Sequence, residues 1–152
     1  MANTTILLRE DIEHVGGRGV VRMENNFIIV PGDVGFMARR VREFLKAHAR
    51  EEISRLAKDK AKRVGKTVKK ISLRDTSSRW GSCSHDGNLS FSWRLVLAPH
   101  EVLEYLVAHE VAHLKEHNHS KAFWALVAQL FPAYEQAQQW LRRYGQKLYS
   151  YG

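Results

Sequence analysis

Cysteine occurs once in the 152 residues, as Cys83. A single thiol cannot close an internal disulfide, which excludes the bridge-stapled secreted scaffolds and makes a reducing compartment, the cytoplasm, the expectation. Long apolar runs are missing as well. No stretch approaches the ~20 residues that cross a bilayer, and Met1–Arg9 has no basic segment leading into an apolar one, so neither a membrane partner nor a secretory leader is expected. Proline is confined to Pro31, Pro99 and Pro132, and each reads as punctuation between elements.

Acidic residues are scarce: 16 stand against 24 Lys and Arg, a net charge of +8. Residues 39–74 hold 14 basic and four acidic side chains, a balance of +10, so the rest of the chain sums to −2. A basic face of this kind attracts nucleotides, nucleic acid or acidic proteins through long-range fields. No nucleic-acid motif accompanies it, and a solvated helix face is the simpler reading. With 44% hydrophobic residues the chain supports one core, and one domain over 1–152 is expected.

That domain divides into short N-terminal strands over 1–30, a long basic helix over 33–64 and a core over 66–152. Thr4–Leu8, Val20–Met23 and Phe27–Val30 read as strands, with Gly16-Gly17-Arg18-Gly19 as a turn because it lacks the Gly-Lys-Ser/Thr ending of a phosphate loop. Asp33 is the expected cap of a helix whose stripe runs through Val34, Met37, Val41, Phe44, Leu45, Ile53 and Leu56 to Val64-Gly65. Lys66–Arg74 reads as a strand. Arg79–Ser84 and Asn88–Trp93 read as two more, joined at Asp86-Gly87, with Leu89, Phe91 and Trp93 on one face. A helix is expected from Pro99 to Glu116, another after Ser120, and a last one from Pro132 with Tyr134, Ala137, Leu141, Tyr144 and Leu148 on its stripe. Trp124 and Trp140 read as core.

Within the first of these helices stands His109-Glu110-Val111-Ala112-His113. Residues four apart on a helix lie one above the other, about 6 Å between Cβ atoms, so both imidazoles can close on one metal ion. Glu110, about 100° round the helix, can reach a water on that ion and serve as general base. A catalytic zinc takes three protein ligands and keeps one position open. His117 lies about 12 Å along the axis from His109 at ~1.5 Å per residue, too far to share the ion. His119 can share it if Asn118-His119-Ser120 turns a corner, and Glu135 on a later helix ranks below it. Val102, Leu106, Val107, Val111 and Leu114 surround the motif with apolar surface, where two histidines and a carboxylate are costly to leave without a role. Cys83 has no charge pattern to activate it and reads as a buried thiol.

The runs Arg79–Ser84, Asn88–Leu95, His109–Leu114 and Asn118–Ser120 with Phe123-Trp124 resemble the YgjP-like metallopeptidase domain, a relative of the SprT-like and other zincin metalloproteases, over roughly His14 to Tyr149. The resemblance implies a zincin-like α+β fold: a small antiparallel or mixed sheet on the active-site helix, a long N-terminal helix and two C-terminal ones. It implies zinc on His109, His113 and His119, with Glu110 as base. Glu116 occupies the glycine position of metzincins and no Met-turn is visible, so the chain is not read as one. Family members commonly carry a longer stretch before the part matching Val15–Val21.

Peptide hydrolysis is the leading expectation, on flexible or unfolded chains added to a hairpin edge. Arg79, Tyr105, Tyr134 and Tyr144 are the candidate oxyanion donors by residue type. The first alternative is nucleoside triphosphate (UTP-type) pyrophosphate hydrolysis at the same metal, with the basic residues 39–74 on the phosphates. The second is a nucleic-acid-associated binding module with a structural metal, closed by a fourth ligand such as His117 or Cys83.

Overall fold

The computed structural model describes residues 12–15, 22–24, 27–31, 37–75 and 79–149. Three short strands come first: β1 (Ile12–Val15), β2 (Arg22–Glu24) and β3 (Phe27–Pro31). They form a mixed sheet of order β1-β3-β2, parallel between β1 and β3 and antiparallel between β2 and β3. The expected strand Thr4–Leu8, the turn at Gly16–Gly19 and the cap Asp33 lie outside the described residues.

Helix α1 (Met37–Arg63) follows, burying Val41, Leu45, Ile53 and Leu56 along the expected stripe together with Ala49, Ala57 and Ala61. It ends where glycine permits. Gly65 has φ +72°, Lys66 N donates to Ala61 O at 2.9 Å and Gly65 N to Lys62 O at 3.1 Å, which satisfies the last carbonyls.

The second sheet has the order β4-β6-β5, from β4 (Lys70–Arg74), β5 (Gly81–Cys83) and β6 (Asn88–Ser92). β4 runs parallel to β6 and β5 antiparallel to it, so the expected hairpin is present, with Gly87 at φ +89° in its turn. Leu89 and Phe91 are buried as the alternation requires. Trp93 is buried but not on the strand: Ser92 Oγ accepts from Arg94 N at 3.3 Å and opens a 3₁₀ turn over Trp93–Leu97. A serine hydroxyl that caps a turn ends the strand one residue before the pattern does.

Helix α2 (His100–Ala112) is the centre of the molecule, in contact with α1, β5, α3 (Lys121–Leu130) and α4 (Tyr134–Tyr149). It stops four residues short of Glu116. Leu114 N and Lys115 N turn back to Val111 O and Ala112 O at 3.0 and 3.1 Å, tightening the end into i→i−3 turns. Ser120 caps α3, its Oγ accepting from Phe123 N at 3.3 Å. On α4 Ala137 and Leu148 are buried as expected, whereas Tyr144 is exposed and rests on Trp140.

The basic segment is not uniformly solvated. Lys60 is 2% exposed, and its Nζ donates to Glu104 Oε1 and to Leu130 O, both at 3.1 Å. Arg63 donates to Gln129 O at 3.0 Å, so α1 supplies cations to the carbonyl end of α3. Lys60→Met is expected to cost about 3 kcal/mol, because it leaves Glu104 and a helix-end carbonyl without their buried partner. The urea midpoint measures it, and an unchanged midpoint would make the ion pair dispensable.

Candidate metal centre

Three elements converge on one point. The last turn of α2 presents His109, its C-terminal cap presents His113, and the segment leading to Ser120 brings His119 back beside them. One ligand nitrogen from each lies within 4.8 Å of the others. His113 Nε2 and His119 Nε2 stand 3.2 Å apart. Two nitrogens at zinc bond lengths of about 2.0–2.1 Å and a tetrahedral angle are separated by roughly 3.3 Å, so the His113–His119 pair stands at the spacing a tetrahedral ion needs, with the His109 nitrogen in the same cluster.

Hydrogen bonds fix which nitrogen each ring offers. His113 Nδ1 lies 3.0 Å from Glu116 O, an acceptor only, so Nδ1 carries the proton and Nε2 the lone pair. His109 Nδ1 lies 3.0 Å from Glu110 Oε2, which orients that ring in the same way. Burial holds His113 below the usual imidazole range, against the opposing pull of the Glu116 carbonyl and the Glu110 carboxylate. A neutral imidazole is the form that ligates.

Glu110 is 4% exposed, between His109 and the edge strand β5. A Cβ on Gly81 would lie 3.0 Å from Glu110 Cγ and 3.2 Å from its Oε2. A side chain there would be tight against the carboxylate and Phe91, which would have to give by a few tenths of an ångström. Cys83, one pleat along the same face, is half-buried and not the buried thiol expected. Its Sγ donates to Ser84 O at 3.4 Å, and its pKa is pushed up to about 11, first by burial and then by the Glu110 carboxylate. Alkylation by iodoacetamide at pH 8 is therefore expected to run roughly a hundredfold slower than for an ordinary thiol, rising with each pH unit above it. Rapid labelling at pH 8 would contradict this environment.

The rivals stand elsewhere. Neither His117, Glu135 nor Cys83 belongs to the metal cluster among the described residues. His117 packs on His85 in the hairpin turn, ring centres 4.8 Å apart, and Glu135 lines a recess on α4 with Gln138 and Arg142. Of the oxyanion candidates, Tyr105 is buried and edge-on to His109 at 5.9 Å, with its hydroxyl engaged by Gln138. Tyr134 stacks on Trp124 at 5.6 Å, while Tyr144 stands apart beside Trp140.

Two aromatic side chains have a larger part than the sequence indicated. Phe123 stacks on His113 at 4.3 Å, and Trp124 meets His109 at 5.9 Å and His119 at 6.1 Å. Trp124 is half-buried and walls the centre, so it is not simply core. Its place in the first turn of the helix capped by Ser120, next to His119, was the available signal: the first large apolar residues of that helix start beside the ligand.

The α+β fold thus sets a three-histidine cluster beside a buried carboxylate. The chain belongs to the YgjP-like metallopeptidase domain family, whose model matches residues 24–144. A stretch of 39 residues is 49% identical to the UTP pyrophosphatase of Escherichia coli (strain K12), covering 26% of this chain and 23% of that protein. The chain thus aligns with less than a quarter of that relative's length. The crystal structure of the metallopeptidase zymogen abylysin of Pyrococcus abyssi is similar at a TM-score of 0.47 and 25% identity, over 70% of this chain and 93% of that one.

Proposed function

We propose that the chain is a zinc-dependent peptidase in which His109, His113 and His119 hold the ion and Glu110 is the general base. The observation that carries this reading is the trio of converging imidazoles with a buried carboxylate one residue away, beneath an open sheet edge. A zinc ion held there would supply a water of lowered pKa and polarise the scissile carbonyl. Glu110 would take a proton on its carboxylate and return it to the leaving amine. Trp124 and Phe123 exclude bulk water from one side of the imidazoles.

The edge supports an extended substrate. Ser92 N donates to Trp80 O at 2.8 Å and Ser84 N to Asn88 O at 2.9 Å, so the even-numbered residues of this strand turn their main-chain groups toward β6. The N–H and C=O of Gly81 and Cys83 then point to the open edge, where among the described residues no strand pairs with them. A flexible chain can add there by backbone pairing with little demand on its side chains. The exposed cations of α1 would add a salt-sensitive preference for acidic or nucleic-acid-associated substrates.

Gly81→Ala is expected to retain zinc and lower turnover by about tenfold or more, since the new methyl displaces the carboxylate that must accept the proton. Full activity would show that Glu110 tolerates the crowding. A second reading, triphosphate hydrolysis at the same centre, is favoured by the short match to a UTP pyrophosphatase. Zinc-loaded protein incubated with unstructured casein and with UTP separates the two. Among the described residues no helix is long and apolar enough to cross a membrane.

A further inference from the structure

The polar face of the second sheet carries a cluster that the metal centre does not use. Leu89 and Phe91 turn inward from β6, so Asn88, Ser90 and Ser92 face the other way. In register, Ser72 and Ser82 flank Ser90 on the neighbouring strands and Arg74 lies opposite Ser92. Arg74, Arg79, Ser82, Ser90 and Ser92 line a recess of about 240 Å³ whose floor is completed by Gly81 and the aromatic Trp80 and Phe91. Arg74 Nε donates to Ser90 Oγ at 3.2 Å. Ser92 is 1% exposed, and its Oγ accepts from Arg94 N, which leaves the hydroxyl hydrogen to donate.

The lining includes Arg74 and Arg79 and no acidic residue. Asp75, the acid next in the chain to Arg74, is engaged by Arg94 at 3.1 Å. Guanidinium forks beside hydroxyl donors match the oxygens of a carboxylate or phosphate and match a neutral or cationic group poorly. Gly81 stands between this recess and the centre: it lines the recess, and a Cβ on it would point to Glu110 on the other face of the sheet. A group held in the recess therefore lies across the edge strand β5 from the proposed base.

We propose that this recess binds a carboxylate or phosphate group of the substrate and anchors it on the β5 side of the metal centre. Cleavage of the anchored substrate rests on the hydrolase reading; its binding does not. To test the anchor, zinc-loaded Glu110→Gln protein is titrated with one flexible fluorescein-labelled peptide carrying Glu, phosphoserine or Gln at a single position. The acidic peptides are expected to bind about tenfold tighter than the Gln peptide, and Arg74→Gln or Arg79→Gln to shrink that advantage to about twofold or less, with Gln-peptide affinity and zinc content unchanged. Tighter binding of phosphoserine than Glu identifies phosphate as the ligand, and equal binding identifies carboxylate. UTP that displaces the peptide only while both arginines are present moves the phosphate to a nucleotide. No advantage for acidic peptides in the parent, or an advantage that survives both substitutions, overturns the proposal. Arg79 lies outside the strands, so Arg79→Gln carries the test if Arg74→Gln disturbs the sheet. Binding of acidic peptides without turnover of any peptide by the protein with Glu110 intact would sink the peptidase reading and leave the recess standing.

Discussion

Replacing Glu110 with glutamine is expected to lower turnover on the order of 10³-fold while leaving the fold and the zinc in place. The two consequences separate because the carboxylate has two tasks. Its Oε2 accepts from His109 Nδ1 at 3.0 Å, and an amide oxygen can accept the same bond and keep the ring oriented. Proton uptake is lost, since an amide oxygen is far too weak a base. The side chain is 4% exposed and bounded by Gly81, so an isosteric replacement is the one change that alters the chemistry without leaving a void. Zinc lost together with activity would make Glu110 a structural support of the ligands. Activity within a few-fold of the parent would remove it from the mechanism.

Truncating His119 to alanine is expected to cost zinc affinity well beyond the roughly 10- to 100-fold that a supporting hydrogen bond is worth. His119 is exposed and outside any helix, so its removal makes little demand on stability, and metal content reports on ligation alone. His117→Ala and Glu135→Ala are the controls. His117 packs on His85 and Glu135 faces the α4 recess, so both variants are expected to bind zinc like the parent. Zinc lost from Glu135→Ala and kept by His119→Ala would overturn the three-histidine assignment.

The candidate site was legible in the sequence where fixed helical geometry decides between residues. The ~1.5 Å rise separates His117 from His119 without a structure, and Asn118-His119-Ser120 announces the corner that returns the third imidazole. The stripe of α1, its glycine end and the Asp86-Gly87 hairpin are local signals of the same kind. What could not be read depends on distant partners. Lys60 looks like any other cation of a basic helix until α3 brings Leu130 O within 3.1 Å. Gly81 resembles an ordinary strand glycine until Glu110 fills the space beside it. The early end of α2 and the turn at Ser92 are set by backbone and hydroxyl bonds that residue periodicity does not encode.

In the proposed function one zinc on three histidines drives peptide hydrolysis. Its most direct test is a titration of metal-free protein with zinc while cleavage of an unstructured casein substrate is followed, with UTP hydrolysis measured in parallel. Casein cleavage is expected to rise from nothing to a plateau at one zinc per chain, and Glu110→Gln to reach the same stoichiometry without cleavage. A plateau in bound zinc with no peptide cleaved, and UTP hydrolysed in a Glu110-dependent way, would contradict it.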